Sequence, residues 1–148
     1  MSLPAILTAS AALENANRVA LGINNAFDTP PETLHDLPVA LRFAESTPTM
    51  HGSASMGRYN IYNFKIEVHW PRGVLLEAVA QCFPTIRAYQ DLYTANLSIS
   101  GTCDVSGFRE PACEGPLWLK YGTDAVETIG IIFYMWCKEI LDDITVEL

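Results

Sequence analysis

A chain of 148 residues, 49% of them hydrophobic and 18% charged, is long enough to bury its own core and too apolar to stay disordered, so it needs no covalent or metal staple to fold. Nine Lys and Arg against seventeen Asp and Glu leave a net charge of −8, which excludes a groove that tracks nucleic-acid phosphates, because such binding needs clustered cations. From Asp104 onward there are nine acids against three bases, so the acidity is concentrated toward the C-terminal end.

The N-terminal segment has no basic stretch, and Glu14 and Arg18 interrupt its apolar residues, so neither a secretion signal nor a transmembrane helix fits. The expected compartment is a reducing cytosol. There the cysteines, Cys82, Cys103, Cys113 and Cys137, read as small buried apolar side chains, with Cys103 and Cys113 flanking one loop.

In chain order, Ala9, Leu13, Ala16, Ala20 and Ile23 recur at helical spacing with Glu14, Asn17 and Arg18 turned away. This predicts a one-sided helix over Ala5 to Ile23, capped by Ser2 with Pro4 in its first turn and closed off by Pro30 and Pro31. Val39, Leu41 and Phe43 then alternate with Pro38, Ala40 and Arg42, a strand with one covered face. Glu45 to Gly57 is rich in Ser, Thr, Gly and Met and has no period, which predicts a flexible loop.

Tyr62, Phe64, Ile66, Val68 and Trp70 alternate with polar neighbours in a second strand, which places His69 on the surface face, and Pro71 ends it. Leu75, Ala78, Val79, Cys82, Ile86, Tyr89 and Tyr93 mark a second one-sided helix, in which Pro84 predicts a kink or break. Leu97 to Val105 alternates as a third strand, Ser106 to Pro116 is a punctuated loop, and Leu117, Leu119 and Tyr121 form a short fourth strand. Thr128 to Lys138 is apolar on both faces. The expected fold is one α+β domain in the order α-β-β-α-β-β-β, a mostly antiparallel sheet of about five strands with two helices on one face.

No residue set carries recognisable chemistry. His35, His51 and His69 have no ligand spacing among themselves or to the cysteines, so no metal site is expected. The serines of Gly52-Ser53-Ala54-Ser55-Met56-Gly57 miss the nucleophile-elbow register, and strand alternation separates Cys103 from Asp104. Pro71-Arg72-Gly73 is too sparse for a phosphate cradle. The expectation is a non-enzyme without catalytic residues or a cofactor. Ile132, Tyr134 and Trp136 are the residues this reading leaves over: two helices cannot cover both sheet faces, so these side chains are buried either by the chain's own loops or, the favoured reading, by a second subunit.

The helix Ala5 to Ile23, the segment Arg58 to Val68 leading into the helix from Val74, Leu97 to Thr102, Leu117 to Gly122 and Thr128 to Cys137 together form an order of elements that resembles the tail-terminator proteins of long-tailed bacteriophages. Head-completion and tail-tube proteins use similar elements. The resemblance implies a virion protein, made in the host cytoplasm, whose copies form a homo-oligomeric ring, a hexamer, that caps the tail tube and offers a surface to the head connector. DNA would pass through without specific binding, as an acidic lumen favours. Ile132, Tyr134 and Trp136 would meet neighbouring subunits, and the loop with Thr49, Met50, His51, Ser55 and Met56 would order against tube or connector. The rival is a small ligand-binding or enzymatic α+β domain with its pocket between the kinked second helix and the sheet.

Overall fold

The computed structural model describes residues 2–45, 49–53, 57–73 and 75–141; for 49–53, 57 and 141 it describes the backbone alone. The first helix, α1 (Leu3–Ala16), starts as its sequence dictates: Ser2 accepts a hydrogen bond from the Ala5 amide at 3.3 Å, and Pro4 sits in the first turn. Asn17 then ends it by donating its side-chain amide to the Leu13 carbonyl at 2.8 Å. A single further turn, α2 (Arg18–Leu21), closes on Gly22 at φ +74°, so the helix expected over Ala5 to Ile23 is two helices.

The strands are β1 (Asn25–Ala26), β2 (Val39–Ala44), β3 (Thr49–Ser53), β4 (Gly57–Trp70), β5 (Val105–Tyr121) and β6 (Val126–Leu141), with α3 (Leu75–Ala95) between β4 and β5. They form one mixed, mostly antiparallel sheet in the order β1-β2-β4-β6-β5, in which β1 runs parallel to β2. Along one edge of β4, β3 pairs with residues 57–61 and β2 with residues 64–69. Tyr62, Phe64, Ile66, Val68 and Trp70 of β4, with Ile129, Ile131, Phe133, Met135 and Cys137 of β6, pack against Ile6 and Ala11 of α1 and Ala78, Cys82, Tyr89 and Tyr93 of α3. The fold is thus α+β with its helices on one face, as expected.

Several local expectations are corrected. The stretch with Thr49, Met50 and His51 belongs to strand β3 and lines up with β4 in register, so it is not loop; Ser55 and Met56 lie outside the described residues. Leu97 to Asp104 is a set of turns and not a strand, with Ile99, Ser100 and Gly101 at φ +46°, +56° and +80°. Ser98 Oγ accepts from the Gly101 amide at 3.1 Å and Thr102 donates to the Ile99 carbonyl at 2.7 Å; these short side chains offer the backbone partners that compete with a sheet ladder. The expected loop Ser106 to Pro116 and short strand Leu117 to Tyr121 are one strand, β5, whose register shifts between Phe108 and Cys113 and between Glu114 and Leu117. Pro111 and Pro116 fall in those irregular stretches of an edge strand, where their missing N–H groups cost no ladder bond. Helix α3 runs unbroken past Pro84, which it tolerates because Ala80 and Pro84 face solvent and water can take the freed carbonyl.

Glu14 is not on a solvated face. It is fully buried, and its carboxylate takes a two-pronged ion pair from Arg42 of β2 at 2.7 and 2.8 Å. Tyr89 donates to it at 2.7 Å and Tyr93 donates to its other oxygen, while Arg42 also reaches Ser10 and the Phe27 carbonyl. Burial disfavours the Arg42 charge, but Glu14 outweighs it and raises the pKa; burial and then the Glu14 charge push both tyrosines well above the ordinary phenol range, so they stay donors. This network bolts α1, β2 and α3 together.

Gly130 marks the closest approach of β6 to its neighbours: a Cβ there would lie 2.4 Å from the Val68 carbonyl oxygen and 2.4 Å from Leu119 Cδ1. Since a paired backbone carbonyl cannot step aside as a side-chain tip can, Gly130→Ala is expected to destabilise the fold by about 1–3 kcal/mol or more. Urea unfolding reads this directly, and an unchanged midpoint would show that β4 and β6 are not so close at this point.

Candidate functional site

The sheet face away from the helices is the candidate site, because it gathers the residues that the core does not use. Pairing of β4 with β6 sets Asn63, Lys65, Glu67 and His69 opposite Trp136, Tyr134, Ile132 and Gly130. On the far side, β5 brings Gly107 opposite Trp136 and Glu114 opposite Ile132. Alternation therefore does place Ile132, Tyr134 and Trp136 on one face.

The chain covers that face unevenly. At its β2 end, Val39, Leu41 and Tyr121 form a second small core beneath Phe27, Leu34 and Leu37, so β2 is covered on both faces and not on one. Further along, long cationic side chains lie flat over aromatic rings: Lys65 Nζ is 5.4 Å from the Phe43 centroid, Arg109 Cζ is 4.9 Å from that of Tyr134, and Lys138 Nζ is 4.1 Å from that of Tyr59. Arg109 continues across the face to an ion pair with Glu45, and the Tyr134 hydroxyl donates to Glu114. Trp136 rests on Gly107, where a Cβ would lie only 2.9 Å from its ring. The outcome is graded: Ile132 is 8% exposed and belongs to the subunit, whereas Tyr134 and Trp136 remain half-buried.

One cluster on this face has the outline of a catalytic relay. His69 Nδ1 lies 2.6 Å from Thr128 Oγ1, and Nε2 lies 2.9 Å from Glu67 Oε1. Burial works against the Glu67 charge, but hydrogen bonds from His69 and Lys65 outweigh it and hold the carboxyl below its ordinary value. His69 is fully buried, and not the surface residue its polar-face position suggests; Thr128 is 1% exposed. Enclosed in this way, the cluster ties β4 to β6 through the hydrogen bonds of His69.

The cysteines are all free thiols. Cys103 Sγ donates to the Ser98 carbonyl at 3.4 Å, and it is not paired with Cys113, which flanks the same loop in sequence. Burial pushes Cys82 and Cys113 up to about 11, which leaves both as unreactive thiols at neutral pH. His35 contacts Thr33 at 2.9 Å on an exposed stretch, and the His51 side chain lies outside the described residues. Among the described residues, no group of His, Cys, Asp and Glu is placed to hold a metal, and no helix is long and apolar enough to cross a membrane.

Among the described residues, aromatic rings pack between α3 and the sheet, with Tyr89 stacked on Phe133 at 4.6 Å and Phe108 against both Tyr93 and Phe133. Large apolar side chains are exposed on the helices, at Val19, Leu76 and Phe83, and at the margins of the sheet, at Trp118, Val126 and Ile140. The outer edge, β5, is blunted by its two prolines and register shifts, so it is a poor template for strand addition from another chain. Compared with protein-family models and with curated proteins, the chain gives no match.

Proposed function

We propose that this chain is a structural virion protein of a bacteriophage neck, a tail terminator whose copies form a six-membered ring that caps the tail tube and joins it to the head. The observation that carries the reading is the half-buried pair Tyr134 and Trp136 on the sheet face opposite the helices. Aromatic side chains with an apolar body and a polar tip concentrate at subunit contacts, where a neighbour completes the burial that the chain begins. Ile140, exposed on the same face of β6, extends that surface. The blunted β5 edge favours contact through faces, which lets assembly close instead of growing by strand addition. A net charge of −8 suits a ring through which DNA slides.

Native mass spectrometry of the purified chain is the test. The expected result is a closed oligomer of six copies that, added to growing tail tubes, stops their elongation. A chain that stays monomeric when concentrated and when mixed with tubes would refute the reading. A ring that leaves elongation untouched would keep self-assembly and assign the chain to another neck or tail component, such as a head-completion or tail-tube protein.

A further inference from the structure

Two hollows meet at Pro30 and Phe43, at the edge of β2 beside residues 28–37. The larger, about 600 Å³, continues to the β5–β6 turn over Leu34, Leu37, Tyr121 and Val126. The smaller, about 360 Å³, continues to Pro4 and Leu7 of α1. Together they form one groove with an apolar floor that runs around the edge of β2: the larger lies on the sheet face away from the helices, and the smaller on the helix side beside Arg42. Among the described residues, the charged side chains lining it are Asp28, Glu32, Asp124 and Arg42, and the two cations at it, Arg42 and the Lys65 above Phe43, are already matched by Glu14 and Glu67, which leaves the three carboxylates as its unmatched charge.

We propose that this groove is a docking site for an extended segment of another protein, one that alternates apolar side chains with Lys or Arg. The apolar floor takes the apolar side chains, and the three rim carboxylates take the cations. An extended segment fits because the hollows adjoin at the edge of β2, which a single chain can follow, and each accepts side chains rather than a folded element. The wall at Pro30 and Pro31 has no N–H to donate, so recognition rests on side chains and charge and not on strand addition. The groove is also built before anything binds: the Tyr121 hydroxyl donates to the Pro31 carbonyl, Thr8 donates to Asp28 at 3.1 Å, and Phe43 is held in strand β2 beneath Lys65. A preformed groove spares the ordering cost that weakens binding to mobile loops. The proposal does not depend on the ring: the groove has its own lining, with Phe43 two strands from Tyr134 across the sheet.

The test uses a fluorescein-labelled peptide, Lys-Pro-Leu-Arg-Pro-Leu-Lys, and its counterpart with Glu at each charged position, titrated with the full chain at low and physiological salt. Anisotropy should show saturable, salt-weakened binding of the cationic peptide alone. Amide shifts in a ¹⁵N spectrum should centre on Leu34, Phe43 and Tyr121. The double variant Glu32→Lys with Asp124→Lys, both on the exposed surface and so expected to fold, should weaken binding by about tenfold or more. Equal binding of the acidic peptide, shifts centred elsewhere, or no saturable binding of the cationic peptide would overturn the proposal. So would a change in oligomeric mass in the double variant, since the occupant would then be a second copy of this chain.

Discussion

Replacing Glu14 by Ala is expected to lower the unfolding free energy by about 3–5 kcal/mol, a large share of the roughly 5–15 kcal/mol available to a domain of this kind. Glu14 and Arg42 are both fully buried, and the carboxylate accepts four hydrogen bonds, two from Arg42 and one each from Tyr89 and Tyr93. Truncation leaves a guanidinium charge in the core with no counterion, and two phenols without their acceptor. The pair itself is another matter. Desolvating two ions offsets most of their attraction, so Glu14→Leu combined with Arg42→Met should cost far less than the two single changes added together. Urea unfolding of the three variants measures that coupling. A single Glu14→Ala variant with wild-type stability would show that the carboxylate is hydrated and the network not closed.

The same network shows why parts of the fold were not legible in the sequence. A Glu on a one-sided helix reads as solvated, and an Arg in a short strand reads as an outward residue; neither has a reason to be inside until the other is found. Their link is 28 residues long and passes through the fold itself. One local sign existed: Glu14 lies four residues after Ser10 and eight after Ile6, on the stripe that packs against the sheet. Similarly, His69 sits on the polar face of β4 by alternation, and only the pairing that brings Thr128 and Tyr121 beside it buries it.

Strands β4 and β6 were legible because their alternation is long and unopposed, and the apolar side chains from Tyr62 to Trp70 and the odd-numbered ones from Ile129 to Cys137 lie in the core where it puts them. Leu97 to Val105 alternates as well. There the period misled, because Ser98 and Thr102 supply hydrogen bonds that hold the backbone in left-handed turns, a contribution that a count of apolar positions does not contain. The candidate face was legible as a set of residues, Ile132, Tyr134 and Trp136, but not as a gradient. The cover over Tyr134 comes from Arg109 and Glu45, which are 64 positions apart in sequence and on different strands or strand ends.

That gradient yields the sharpest expectation about assembly. Trp136→Ala and Tyr134→Ala should abolish the oligomer while costing the subunit less, whereas Ile132→Ala, two residues away on the same face, should do the reverse. Completing the burial of a side chain of this size is worth up to roughly 1.5–3 kcal/mol, and repetition at each contact of a ring multiplies the loss. Ile132 is already covered within the subunit, so its truncation leaves a cavity and should lower unfolding free energy by about 2–5 kcal/mol. Native mass and urea unfolding, measured side by side on all three variants, separate the two effects. If Trp136→Ala and Tyr134→Ala unfold as readily as Ile132→Ala, the whole face is the subunit's own core. If they keep both their stability and the wild-type oligomer, copies meet through another surface, and the exposed helix residues Val19, Leu76 and Phe83 become the ones to change.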